Sequence, residues 1–270
     1  MMVNTWIKKM FVALSTLLMV GSAHAVQPYN MTRGVSDISG DVYSMHMIAF
    51  WLCVVIAVAV FAVMFYSIYA HRQSKGATPA TFHESTTAEA IWTFIPFVIL
   101  IGLSIPATKT LIAMEDTSDY DLTVKITGYQ WLWHYEYIDE GVDFYSVLDT
   151  PRTQINNAEN KNQNYLLEVD NELVLPVGKK VRFLITSNDV IHAWWVPAVA
   201  VKKDAIPGFI NEAWTRINEP GVYRGQCAEL CGRDHGFMPI VVRAVPEAEF
   251  DQFLAANTTL EQNTEYAMTD

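Results

Sequence analysis

The chain changes hydrophobic rhythm near residue 115. Before it, apolar residues come in long runs; after it, short apolar stretches mix with Asp, Glu, Asn and Gly, as in a water-facing domain. Residues 42–70 contain no Asp, Glu, Lys or Arg, and the run 48–68 is dominated by Val, Ala, Ile, Phe and Met. This predicts one membrane-spanning helix over about 43–70 and a second over about 90–112. Pro96 and Pro106 fall in the second, where neighbouring helices can satisfy the freed backbone groups, so this helix is expected to pack against protein.

At the N-terminus, Lys8 and Lys9 precede the apolar run 10–20, and Ala23-His24-Ala25 forms a small-x-small cleavage site. Residues 1–25 read as a signal peptide cut after Ala25, because a run of about eleven residues is too short to cross a hydrocarbon core about 30 Å thick. Segment 26–114 then carries the two spans. Arg72 and Lys75 lie between them, which places that loop in the cytoplasm and puts the mature N-terminus and everything after 115 outside. In a bacterial inner membrane, outside means the periplasm. Lone thiols are unusual there unless paired or bound to metal.

Over 115–257 the pattern predicts strands at 122–126, 165–169, 181–186, 213–217 and 239–245. Turn signals at Pro176-Val177-Gly178 and Glu219-Pro220-Gly221 separate them. Short strands with such turns imply an all-β sandwich or barrel. The Asn-rich segment 156–164 reads as an exposed loop. Residues 247–256 have helical spacing and are expected to pack as a terminal helix, followed by a flexible tail over 258–270.

Charge narrows the partners. From Glu115 onward there are 25 Asp plus Glu against 12 Lys plus Arg, so this part is more acidic than the whole chain at −11. That excludes nucleic acid and favours basic partners, although acidity alone also keeps an exported domain soluble.

Cys53 sits among Leu52, Val54 and Val55 in the first span and reads as a small hydrophobe. Cys227 and Cys231 belong to a denser pattern, Cys-x3-Cys-x3-His-x2-Met, ending at His235 and Met238. A disulfide would explain neither the His nor the Met, and structural zinc has no use for a thioether. Thiolate, imidazole and Met together point to copper. A mononuclear blue-copper site needs one Cys, and two thiolates can instead bridge two copper ions. The second imidazole that this requires is supplied best by His192, after the 181–186 strand and the Ser187-Asn188-Asp189 turn.

Residues 225–238 resemble the dinuclear copper A motif of subunit 2 of the haem-copper oxidases, the bacterial cytochrome c oxidases among them. The match extends to Asp189-Val190-Ile191-His192-Ala193-Trp194, to Lys203-Asp204-Ala205-Ile206-Pro207-Gly208, to the aromatic stretch Gly128-Tyr129-Gln130-Trp131-Leu132-Trp133 and to Glu89-Ala90-Ile91-Trp92-Thr93. Neither 156–164 nor the tail after 257 takes part in it.

The resemblance implies a two-span helical hairpin followed by a cupredoxin-like β-barrel. It implies that Cys227 and Cys231 bridge two coppers, that His192 and His235 bind one each, that Met238 is a weak ligand, and that the backbone carbonyl of Glu229 completes the set. It further implies a magnesium or manganese ion on the Glu229 side chain, shared with subunit 1. Trp131 would receive electrons from cytochrome c, whereas Trp133 reads equally as a packing residue. Glu89 would mark a proton-channel mouth or merely suit a helix N-terminus. The expected partners are subunits 1 and 3, cytochrome c and membrane lipid; the haem and the oxygen-reducing site would lie in subunit 1. Glu136, Asp139, Asp143 and Asp189 are expected near Trp131 as a patch attracting a basic donor.

Three alternatives weigh less. Quinol oxidase subunit 2 lacks the copper ligands, and nitrous oxide reductase needs a propeller for which this chain has no repeats. A membrane-anchored copper-handling protein would need exchangeable ligands. The chain contains no Cys-x-x-Cys-His haem attachment sequence.

Overall fold

The computed structural model describes residues 30–81 and 83–267, with side chains described as far as Asn257. The expected signal peptide and its cut after Ala25 lie outside the described residues, as do 268–270. All elements below belong to one unit, Arg33–Asp270.

Two helices come first. α1 spans Asp37–Ala70 and α2 spans Thr86–Glu115. At 1.5 Å per residue they are roughly 51 and 45 Å long, more than a hydrocarbon core of about 30 Å requires, so both project beyond it. Both are long and apolar enough to cross a membrane. Their large side chains, such as Trp51, Phe61, Trp92 and Phe97, are exposed along the hairpin. Ser36 caps α1 in a reciprocal pair with Ser39, and Ser85 caps α2 by accepting the Ala88 N–H. The connection bends at Gly76, whose φ of 77° suits a residue without a Cβ.

A β-sandwich follows. One sheet has the order β3-β2-β1-β5-β8, built from β1 (Leu122–Tyr129), β2 (Leu132–Tyr137), β3 (Val142–Ser146), β5 (Lys180–Ser187) and β8 (Asn211–Arg216). The other has the order β4-β10-β9-β6-β7, built from β4 (Leu173–Pro176), β6 (His192–Val196), β7 (Val201–Ala205), β9 (Gly221–Cys227) and β10 (Pro239–Val245). Pairs β1–β5 and β4–β10 are parallel; the others are antiparallel. Alternation sets the faces: on β2, Trp133, Tyr135 and Tyr137 point into the core, while His134 and Glu136 face outward. Facing residues Phe183, Ile185, Trp194 and Ile240 complete the core between the sheets.

The domain is fastened to both helices. Val35 N–H donates to Ala198 O at 2.8 Å, and Ser36 Oγ donates to Val199 O at 3.0 Å. Trp214 Nε1 donates to Ala113 O near the end of α2 at 2.9 Å.

Two expectations need correction. Residues 165–169 form no strand: Leu166 has φ 63°, which breaks an extended run, and only an isolated bridge joins Val169 to Leu148. The tail is helical further than expected, since α3 runs Glu247–Ala267; Leu260, Glu261, Gln262 and Glu265 are good helix formers. Its Phe250 and Phe253 pack on Tyr137, with ring centroids 6.1 and 5.8 Å away. Segment 156–163 is exposed, as read from its composition.

Candidate metal centre

Three segments converge at one end of the sandwich. β9 ends at Cys227 and passes into the ligand loop, β6 begins at His192, and the turn between β1 and β2 carries Gln130 and Trp131. The β6–β9 pairing sets Trp194 opposite Cys227 and so brings His192 near the first thiol. The ligand loop folds back because Cys227 N–H donates to Met238 O and Ala228 N–H to Ala193 O, both at 3.0 Å.

The side chains that result form a compact donor cluster. His192, Cys227 and Cys231 are all buried, and their ligand atoms lie within 4.8 Å of one another. The two sulfurs are 3.8 Å apart. That is far beyond a disulfide bond of about 2.05 Å, yet close enough for both to touch a common metal at about 2.3 Å. His192 Nδ1 lies 3.9 Å from Cys227 Sγ, and His235 Nδ1 lies 3.4 Å from Cys231 Sγ. Glu229 O stands 3.4 Å from Cys227 Sγ. Met238 is buried beside them at 1% exposure. Two thiols, two imidazoles, a thioether and a carbonyl fit a soft transition metal such as copper and suit neither calcium nor magnesium.

The two thiols are unequally acidic. Burial pushes the Cys227 thiol up, but its hydrogen bond with His192, aided by backbone groups at Ala193 and Glu229, reverses this and leaves it at about 7. Burial and the adjacent Cys227 charge push Cys231 up to about 12. The pair thus readily yields one thiolate, and a cation is needed to hold the second.

A further layer fixes these groups. Asp189 Oδ1 lies 2.9 Å from His192 Nε2, and Asp189 Oδ2 accepts the Gln130 N–H at 2.7 Å. Gln130 Nε2 and Trp131 Nε1 both donate to the Cys231 carbonyl, at 2.9 and 3.3 Å. Gly232, with φ 121°, leaves room for this approach, because a Cβ there would stand 3.1 Å from both side chains. Gly128 likewise lies against the His192 ring, where a Cβ would be 2.8 Å from Cδ2. Trp133 is buried edge-on to His192, with centroids 6.0 Å apart.

Of the residues singled out from the sequence, His192, Cys227, Glu229, Cys231, His235, Met238 and Trp131 come together here. Glu89 does not: it sits in the first turn of α2, about 39 Å along the helix from Glu115. Of the acidic residues expected near Trp131, Asp189 lies beside it, accepting the Gln130 N–H, whereas Glu136, Asp139 and Asp143 lie toward the far end of β2. Glu136 pairs with Lys125 at 2.8 Å, Asp143 with His134 at 2.6 Å, and Asp189 is turned onto His192. The length of β2, roughly 17 Å, separates Trp131 from Asp139 in the β2–β3 turn. Gln130, Gly128 and Gly232 were missed as supporting residues. The only local signal for the second layer was the three-residue spacing of Asp189 and His192.

Residues 122–245 match the family model for the periplasmic domain of cytochrome c oxidase subunit II, and residues 24–110 match the model for its transmembrane domain. The chain is 38% identical over 261 residues to "Probable cytochrome c oxidase subunit 2" of Rickettsia felis, covering 94% of this chain and 81% of that one. It is 36% identical over 220 residues to cytochrome c oxidase subunit 2 of Cereibacter sphaeroides, covering 76% and 73%. The crystal structure of the periplasmic domain of subunit II from Bradyrhizobium japonicum is 44% identical, with a TM-score of 0.48, over 53% of this chain and 97% of that one. With its two apolar helices, its cupredoxin-like sandwich and a His-Cys-Cys cluster able to bind copper, the chain belongs to the cytochrome c oxidase subunit II family.

Proposed function

We propose that this chain receives electrons from cytochrome c at a dinuclear copper A centre and passes them to the haem of subunit 1, where oxygen is reduced to water with proton pumping. One observation carries the reading: the Trp131 indole N–H donates to the carbonyl of Cys231, so a half-buried aromatic ring is hydrogen-bonded to the residue that supplies a ligand sulfur. When bound, two coppers supply a one-electron carrier whose charge change is spread over both metals.

The chain's own residues do the rest. Cys227, Cys231, His192 and His235 would hold the coppers, Met238 and the Glu229 carbonyl would complete the set, and Asp189, bonded to His192, would orient its imidazole. Burial of His192, Cys227 and Cys231 supports a fixed redox centre over a copper-handling role, which needs accessible ligands. The exposed Glu229 side chain would bind magnesium or manganese together with subunit 1. Glu89 would stand at a proton-channel mouth, on the cytoplasmic side. Subunits 1 and 3 and lipid would cover the hairpin, whose loop with Arg72 and Lys75 faces the cytoplasm.

The test is copper content and the electron-spin spectrum of the full chain in detergent, loaded with copper. Two coppers sharing one unpaired electron, lost in Cys227→Ser and in Cys231→Ser, would support the reading. A single copper, or zinc in its place, would overturn it.

A further inference from the structure

The two thiols of the ligand cluster are held in unequal ways. Cys227 ends β9, a strand paired with both β6 and β10, and its N–H donates to Met238 O at 3.0 Å. Cys231 lies four residues on, in a loop without regular structure. Among the described residues, its backbone is bonded to another segment only through its carbonyl, which accepts Gln130 Nε2 at 2.9 Å and Trp131 Nε1 at 3.3 Å. The Gln130 bond has an ordinary length for N–H···O, and the Trp131 bond is longer than most.

Gln130 also reaches the other half of the cluster. Its backbone N–H donates to Asp189 Oδ2 at 2.7 Å, and Asp189 Oδ1 lies 2.9 Å from the His192 imidazole. A continuous chain of bonds thus runs from His192 through Asp189 and Gln130 to Cys231, across sequence separations of 59 and 101 residues. The ligand loop leaves space for it: a Cβ on Gly232 would stand 3.1 Å from Gln130 Nε2. The sulfurs are 3.8 Å apart, whereas a disulfide needs about 2.05 Å. Because the sheet fixes Cys227, this spacing depends on what holds Cys231.

We infer that Gln130 is a positioning residue, whose side-chain amide holds Cys231 at bridging distance from Cys227 before any metal arrives and ties it to the His192 half of the cluster. The copper-bound part of this role rests on the dinuclear reading above; the metal-free part stands without it. Gln130 is exposed at the rim, so its side chain can be changed without disturbing the core. Its backbone N–H continues to hold Asp189 in every variant, and substitution cuts only the link to Cys231. Freed of that link, the loop lets the two thiols meet. With oxidised glutathione present, one thiolate attacks the oxidant and releases a glutathione thiol, and the second thiolate then displaces the other. The pair loses two electrons and two protons, and one oxidised glutathione becomes two reduced ones.

The experiment uses the full chain in detergent and three variants, Gln130→Met, Gln130→Asn and Trp131→Phe. Met matches the native length without a donor, and Asn keeps the amide but falls one methylene short. In oxidised glutathione without copper, closure of the Cys227–Cys231 pair is followed by mass spectrometry of segment 226–238. It should be about tenfold faster in both Gln130 variants and unchanged in Trp131→Phe, with the melting temperature of the metal-free chain the same in all. With copper, the two Gln130 variants should bind about tenfold more weakly in chelator competition and show an altered electron-spin spectrum. Native closure rates in the Gln130 variants, or equal acceleration in Trp131→Phe, would overturn the role of the amide. Faster closure together with a lower melting temperature would also overturn it, by tracing the effect to general loosening. If closure responds as expected but the native chain holds a single copper or zinc, the dinuclear reading falls and the metal-free positioning stands.

Discussion

Asp189 joins two parts of the site through one carboxylate, with Oδ1 2.9 Å from His192 Nε2 and Oδ2 2.7 Å from the backbone nitrogen of Gln130. The imidazole turns its other nitrogen toward Cys227. With Nδ1 given to a metal, Nε2 carries the proton and donates to Asp189, which fixes both tautomer and ring orientation. Asp189→Ala should therefore lower copper affinity about 10- to 100-fold, and Asp189→Asn, which keeps an oxygen acceptor, should fall between. Chelator competition followed by the copper absorbance measures this. Equal affinities for the native protein and the Ala variant would mean that the turn alone holds His192.

Gly128 gives a second test, of packing. The ring of His192 occupies the space a side chain would need, and a Cβ would stand 2.8 Å from Cδ2 and 3.1 Å from Cγ. Gly128→Ala must push the imidazole or the end of β1. It should cost about 1–3 kcal/mol, as overpacking does, and alter the copper spectrum as well as the melting temperature. A variant that melts lower with an unaltered spectrum would locate the strain in the strand and not in the ligand.

What could be read in advance followed sequence distance. The spacing of Cys227, Cys231, His235 and Met238 was legible because all four sit in one loop, where local spacing is geometry. The hairpin was legible because long uncharged runs have few alternatives. The link from Asp189 to Gln130 spans 59 residues, and nothing in either segment names the other. The placement of Glu136 and Asp143 was hidden for the same reason: only the β2–β3 register shows that they face each other at the end away from Trp131. Strands β6 and β7 went unread because they are five residues each and follow one another through a Pro-Ala-Val turn. Segment 165–169 looked like a strand from Tyr, Leu and Val, and a left-handed Leu166 overrode that propensity.

Trp131 can be separated from the metal ligands. Trp131→Phe keeps an aromatic ring but removes the N–H that donates to the Cys231 carbonyl. Because Trp131 supplies no ligand atom, the copper content and spectrum should be unchanged. Reduction by cytochrome c should slow by an order of magnitude or more, and reduction by a small-molecule reductant should not. A parallel loss with both reductants would show that Trp131 holds the centre together instead of feeding it.

The junction between α2 and the sandwich tests whether the copper domain is held rigidly on its membrane anchor. Lys180 is buried at 8% exposure, yet its ammonium donates to Asp116 O at 2.9 Å and to Ser118 O at 2.5 Å, and it lies 4.4 Å from the centre of the Trp214 ring. Trp214 in turn donates to Ala113 O. The carbonyls at the end of the helix and just beyond it, which have no partners within the helix, thus receive donors from the domain. Lys203 pairs with Glu115 at 3.0 Å nearby, but that pair is more exposed. Lys180→Met should cost about 1–3 kcal/mol, since it removes the two hydrogen bonds that a charged donor makes to the Asp116 and Ser118 carbonyls. Lys203→Ala should cost about 0–1 kcal/mol, as surface pairs do. Thermal unfolding of the full chain in detergent, with protease cutting followed in segment 116–121, separates the two. Faster cutting in Lys180→Met alone would place the hold in the buried lysine; equal cutting in both variants would show that the exposed pair contributes as much, and that the anchor is a looser joint than its hydrogen bonds imply.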